Sequence, residues 1–133
     1  MTESRTIIIF GLSSFVGSSL AEFLKKDYKV VGTYYTTKVD IPGVLSIPCD
    51  VLNKDEVQLV LFALKPDIAI YAVGLSSLID SGENEGLADA LNTGGLINVT
   101  EHCQRYKTKI CYFSSSFVFG GEKHNYLEMD IPD

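Results

Sequence analysis

At 133 residues, 46% apolar and 21% charged, the chain can close one hydrophobic core and is too apolar for disorder, so residues 1–133 are expected to form a single domain. A net charge of −6, with no basic run longer than two residues, speaks against a nucleic-acid footprint, and no apolar stretch reaches membrane-spanning length. Met1–Arg5 leads straight into the short run Thr6–Phe10, too short for a secretory leader, and the 3 cysteines (Cys49, Cys103, Cys111) show no CxxC spacing, so reduced, mostly buried thiols of a cytoplasmic protein are expected. His102 and His124 are isolated, which leaves a zinc site without ligands.

Thr6–Phe10 is continuously apolar, as a strand buried on both faces would be. Phe15, Val16, Leu20, Phe23 and Leu24 then recur at helical spacing, with Lys25 and Lys26 suited to a helix C-terminus. Tyr28–Tyr34 reads as a second strand and Val44–Ile47 as a short third, ended by Pro48. Lys54–Leu64 reads as a helix with Val57, Val60, Leu61 and Leu64 inward and Pro66 as its stop. Ile68–Val73 is another buried strand. Glu85–Arg105 reads as one long helix whose inner face is Ala88, Leu91, Gly95, Val99 and Cys103, and Lys109–Phe113 is the last strand. Beyond Ser116 the chain reads as loop. Apolar strands alternating with helices specify an α/β fold, Rossmann-like and doubly wound, with a parallel sheet in the order 3-2-1-4-5.

In that frame the stretch Gly11-Leu12-Ser13-Ser14-Phe15-Val16-Gly17 links a strand to a helix N-terminus. Gly11 would allow a sharp turn, Gly17 close packing of the helix on the sheet, and the free N–H groups of the first turn would face a pyrophosphate. Ser14 stands where a middle glycine is expected, and the alternative is a plain turn with Ser13 or Ser14 as N-cap. About 20 residues on, an acidic side chain would mark NAD. The chain has Tyr34-Tyr35-Thr36-Thr37-Lys38 there, so Thr36 and Lys38 favour the 2′-phosphate of NADP, with NAD and a plain solvated loop both left open.

Further landmarks follow in order: Pro48-Cys49-Asp50-Val51; Pro66-Asp67-Ile68-Ala69-Ile70-Tyr71-Ala72-Val73-Gly74; Asn92 within Ala90–Gly94; Tyr112-Phe113-Ser114-Ser115-Ser116-Phe117-Val118-Phe119-Gly120-Gly121; and Asn125-Tyr126-Leu127-Glu128-Met129-Asp130-Ile131-Pro132. Together with the glycine loop they resemble the extended short-chain dehydrogenase/reductases, and in particular the dTDP-4-dehydrorhamnose reductase-like branch, over essentially the whole chain. Departures are Ser14 for glycine, Tyr71 for the family's usual asparagine, and Ser116 and Phe117 for the Asp and Tyr of the last signature.

The resemblance implies reduction of a keto group on a nucleotide-activated sugar with NADP(H), NAD(H) being possible. It implies cofactor contacts from Gly11, Ser13, Ser14, Phe15, Val16, Gly17, Tyr34, Thr36, Lys38, Asp50, Val51, Ala72, Val73, Gly74, Asn92 and Ser114. Ser115 would polarise the substrate carbonyl. The family's Tyr-x-x-x-Lys pair falls beyond the position of Asp133, so the chain is expected to be the cofactor-binding part of a longer reductase, truncated before the catalytic helix and inactive alone. Tyr34–Lys38 has the same spacing but lies at the adenosine end and is read as a decoy. An epimerase or dehydratase of the same superfamily and a non-catalytic nucleotide-binding subunit are the alternatives. The apolar edge of the last strand is expected to support self-association. Asp80, Glu83, Glu85 and Asp89 read as a solvated helix start rather than a metal site, and the sequon Asn98-Val99-Thr100 is discounted because it lies mid-helix.

Overall fold

A computed structural model describes residues 4–75, 82–123 and 125–132. His124, Asp80 and Asp133 therefore lie outside the described residues. Five parallel strands, β1 (Thr6–Phe10), β2 (Lys29–Tyr34), β3 (Leu45–Pro48), β4 (Ile68–Tyr71) and β5 (Lys109–Tyr112), form one sheet in the order β3-β2-β1-β4-β5. That is the doubly wound order expected from the alternation of elements. The register sets Phe10 opposite both Thr33 and Tyr71, so β1, β2 and β4 end level with one another. Level ends make one rim, and the glycine loop leaves from it.

Alternate residues of the strands feed two cores. Ile8, Phe10, Val31, Ala69 and Tyr71 meet Val57 and Leu61 of α2 (Lys54–Leu64) and Val99 and Cys103 of a later helix. Ile7, Ile9, Val30 and Ile70 meet Ala21 of α1 (Phe15–Leu24), together with Leu12 and Ile41. Burial on both faces is why β1 and β4 are apolar along their length rather than alternating.

α2 has the bounds and inward face that the sequence predicts. Asn53 caps its start by accepting from the Asp55 and Glu56 N–H groups at 3.1 and 3.3 Å. Its end turns left-handed at Lys65 (φ 43°), one residue before Pro66. α1 differs from expectation. Phe15 is 85% and Phe23 66% exposed, and the buried residues are Gly17 and Ala21, with Leu20 and Leu24 packed against them. Leu12, in the preceding loop, is fully buried in the same cluster as Ala21 and packs toward Gly32.

The long helix predicted over Glu85–Arg105 is also divided. It comprises α3 (Glu85–Asp89), a wider π-helical turn (Ala90–Gly95) and α4 (Leu96–Tyr106). Ala88, Gly95, Val99 and Cys103 face inward as predicted. Asn98 is buried, and its amide nitrogen donates to the Val51 carbonyl at 3.0 Å, so the sequon presents no free acceptor. Two of the thiols, Cys49 and Cys103, are buried, whereas Cys111, on β5, is exposed; β5 pairs with β4 and leaves its other edge open among the described residues. That edge carries Ile110, Tyr112 and Phe113, all exposed. The segment beyond Ser116 is braced rather than loose: Lys123 pairs with Asp130 at 2.8 Å, and Phe119 stacks on Tyr126.

Leu12 and Phe15 lie three residues apart and have opposite burial. Leu12→Ala is expected to cost about 2–5 kcal/mol, and Phe15→Ala less than about 0.5 kcal/mol, read from urea unfolding midpoints.

Candidate functional site

At the rim where the strands end lies a cavity of about 410 Å³, and three chain segments that leave the sheet build its floor. The first is the glycine loop. Gly11 has φ +89°, and a Cβ there would stand 2.6 Å from the Ala72 carbonyl oxygen, so only glycine lets β1 turn out beside the chain leaving β4. Leu12 donates its N–H to the Thr33 carbonyl at 2.7 Å and inserts below the loop. Gly32 makes the room, because a Cβ there would meet the Leu12 side chain at 2.5 Å. A Cβ on Gly17 would collide with the Gly11 carbonyl oxygen, so the first turn of α1 rests directly on the strand exit.

Ser14 closes this loop on itself. Its hydroxyl donates to the Gly11 carbonyl at 2.8 Å and accepts from the Gly17 N–H at 2.9 Å, as an N-cap does. The N–H groups of Phe15 and Val16 belong to a first turn with no intrahelical acceptors and point along the helix axis toward the wall made by Ser13 and Ser14. Ser14 is thus the N-cap that the plain-turn alternative expected.

The second segment leaves β3. Cys49 donates its N–H to the Tyr34 carbonyl at 2.9 Å. Asp50 accepts from the Leu52 N–H at 2.9 Å, and its own N–H donates to Glu56 Oε2 at 2.7 Å, which holds the carboxylate at the cavity wall. Burial, then the charges of Glu56 and Asp50, push the Cys49 thiol up to about 12. Burial alone pushes Cys103 up to about 11. Both thiols stay protonated at neutral pH, so stability they contribute below about pH 9 is lost as the pH rises through the folded-state values.

The third segment leaves β4. Ala72, Val73 and Gly74 line the cavity, and Gly74 has φ +154°. Asn92 clamps the next residue, accepting from the Leu75 N–H at 3.0 Å and donating to its carbonyl at 3.1 Å. Leu87 and Leu91 complete the wall from above.

Of the residues singled out in the sequence, Gly11, Ser13, Ser14, Tyr34, Asp50, Val51, Ala72, Val73 and Gly74 come together around this cavity. Phe15, Val16 and Gly17, in the first turn of α1, are not among its lining residues. Thr36 and Lys38 lie outside its lining, and Lys38 pairs with Asp40 at 3.0 Å, an interaction that raises its amine above the ordinary lysine value. Asn92 stands behind the β4 exit instead of in the wall. Ser114 and Ser115 are exposed beyond β5 and away from the lining. The Ser115 oxygen accepts from the Phe117 N–H at 3.2 Å, which leaves its own proton to donate.

Sequence reasoning missed Thr33, Tyr35, Cys49, Leu52, Leu87 and Leu91 as lining residues. Four of them are direct neighbours of predicted ones, and Leu87 and Leu91 are spaced by one helical turn. Among the described residues no Lys or Arg lines the cavity and Asp50 is the one carboxylate in its lining, so an anion there would meet N–H groups of these residues rather than their cations. Among the described residues no His/Cys/Asp/Glu group could hold a metal ion, and no helix is long and apolar enough to cross a membrane.

A rim cavity at the glycine loop of a 3-2-1-4-5 sheet invites comparison with known proteins. The sequence profile of the RmlD substrate binding domain matches residues 5–133. The chain belongs to the RmlD substrate binding domain family. A dTDP-4-dehydrorhamnose reductase of Aggregatibacter actinomycetemcomitans is 30% identical over 94% of this chain and 40% of its own length. The crystal structure of a hypothetical dTDP-4-dehydrorhamnose reductase from Sulfolobus tokodaii superposes with a TM-score of 0.82 at 25% identity, covering 97% of this chain and 45% of that one. The dTDP-4-dehydrorhamnose reductase of Bacillus anthracis str. Ames, solved in complex with NADP, superposes with a TM-score of 0.78 at 23% identity over 93% of this chain and 41% of that one. The chain thus spans less than half the length of these relatives.

Two substitutions separate loop geometry from loop capping. Ser14→Ala is expected to lower the unfolding free energy by about 1 kcal/mol, and Gly11→Ala by about 1–3 kcal/mol, because the added Cβ needs both a disfavoured φ and the space of the Ala72 carbonyl. Iodoacetamide at pH 8 is expected to alkylate Cys111 in the folded chain and to reach Cys49 and Cys103 only on unfolding, read by peptide mass.

Proposed function

We propose that this chain is the NADP(H)-binding part of a reductase acting on the keto group of a nucleotide-activated sugar. The observation that carries the reading is the junction of Gly11 with Ala72, which sets a helix N-terminus and its unpaired N–H groups at the mouth of a preformed cavity. The family and the NADP complex of the Bacillus anthracis relative support it.

The residues present fit a dinucleotide. The backbone at Ser13–Gly17 would hold the pyrophosphate, close approach being possible because the Ser14 hydroxyl turns back onto Gly11 and Gly17. Tyr34, Asp50 and Val51 would hold the adenosine end, and Ala72–Gly74 would run beside the other half. The absence of a carboxylate from the lining at the end of β2 favours NADP(H) over NAD(H). The bound nucleotide would supply hydride chemistry. Ser115 would donate a hydrogen bond to the substrate carbonyl, and the tyrosine–lysine proton pair of the family would come from the part of the relatives' length that this chain does not span. The open β5 edge supports the expected self-association, a strand of a second copy pairing there.

Ser13 gives a clean test because it is exposed at the cavity and precedes α1. Ser13→Glu places a negative charge where the helix dipole tolerates it but where a pyrophosphate is repelled. Calorimetric titration with NADPH and, separately, NADH is expected to show saturable binding to the unsubstituted chain with NADPH preferred. Ser13→Glu is expected to lose at least about tenfold in affinity at unchanged melting temperature. Equal binding by the two proteins would overturn the assignment of the loop.

A further inference from the structure

Tyr71, the residue that departs from the family pattern at the end of β4, does not line the cavity, yet it holds one wall of it. The side chain is 1% exposed and sits in the core beneath the π-helical turn. Its hydroxyl donates to the Leu91 carbonyl at 2.5 Å. That carbonyl belongs to the π-helical turn Ala90–Gly95, whose end tightens where the Leu96 N–H reaches the Thr93 carbonyl. Gly95 makes the room: a Cβ there would collide with the Tyr71 hydroxyl and stand 2.8 Å from the Val51 side chain. Burial, and then Tyr112, push the hydroxyl well above the ordinary tyrosine range, so it remains a donor.

Two wall residues, and the residue that follows the lining segment Ala72–Gly74, are therefore held from this stretch of helix. Leu91 is fixed by Tyr71, the Leu75 backbone by Asn92, and Val51 lies against Gly95 and is held by Asn98 from the following turn. We infer that Tyr71 is a positioning residue for nucleotide binding: through its bond to the Leu91 carbonyl it holds the π-helical turn open and sets the apolar wall of Leu91 and Val51 against the adenosine end of the ligand. This rests on the cofactor reading above, and the pairing of Tyr71 with Gly95 is its structural signature.

The test uses the full chain with NADPH and 2′,5′-ADP as probes. Tyr71→Phe keeps the ring in the core and removes only the donor. The dissociation constants of both probes are expected to rise roughly three- to tenfold, with faster amide exchange across residues 91–96 in the ligand-free protein. Gly95→Ala is expected to weaken both probes by itself. In the Tyr71→Phe background it is expected to add less than its single effect, because the hydroxyl it would strike is gone.

Unchanged dissociation constants in Tyr71→Phe alongside a lowered melting temperature would make Tyr71 a structural residue only and overturn the inference. If the unsubstituted chain binds neither probe, it is the cofactor reading that fails. Amide exchange over residues 91–96 then still decides whether Tyr71 fixes the turn, and unchanged exchange would overturn that as well.

Discussion

One close approach governs the rest of this structure: the backbone of β1 passes the backbone leaving β4 at Gly11 and Ala72, with no space for a side chain between them. The parallel register brings Phe10 and Tyr71 level, so both strands must leave the sheet at the same height. Only a residue without Cβ and at ease with positive φ can turn there. Once it does, Leu12 falls into the core, Gly17 rests on the Gly11 carbonyl, and α1 begins with its N-terminus at the rim. The cavity is the space these three exits leave between them.

The loop shows how a degenerate motif keeps its geometry. A serine at the middle position adds a hydroxyl where a ligand would want bare backbone. That hydroxyl turns inward, donating to Gly11 and accepting from Gly17, so it stiffens the loop by local capping. The cost is one first-turn N–H, that of Gly17, now paired within the protein. The Phe15 and Val16 N–H groups keep the helix-terminal character that suits an anion. The proposed function would depend on main-chain donors and not on charged side chains, which accords with a chain of net charge −6.

Much of this was legible in the sequence because it rests on local rules. Strand order follows from alternating buried strands and helices. The bounds of α2 follow from Asn53 and Pro66, and the rim residues follow from their place after each strand. What was not legible depends on tertiary space. The inward face of α1 could not be read from Phe15 and Phe23, because the helix buries its small residues Gly17 and Ala21 while the loop residue Leu12 supplies bulk to that core. The break at Ala90–Gly95 carries no proline and reads as uninterrupted helix. Within it, a tyrosine twenty residues earlier in the chain reaches the Leu91 carbonyl, a tertiary contact that no local pattern announces. Lys38 carries an exposed ion pair with Asp40, two residues away, that its sequence neighbourhood did not announce.

The central claim is that the backbone amides at the start of α1 are the anion-binding element of this chain. The most direct measurement is a two-dimensional amide NMR titration of the isotopically labelled chain with NADPH. The account predicts the largest shifts at Ser13, Phe15, Val16 and Gly17, smaller ones at Asp50, Val51 and Ala72–Gly74, and none along the α2 surface at Leu59 and Phe62. Shifts that spare residues 13–17 while moving another face of the protein would contradict it.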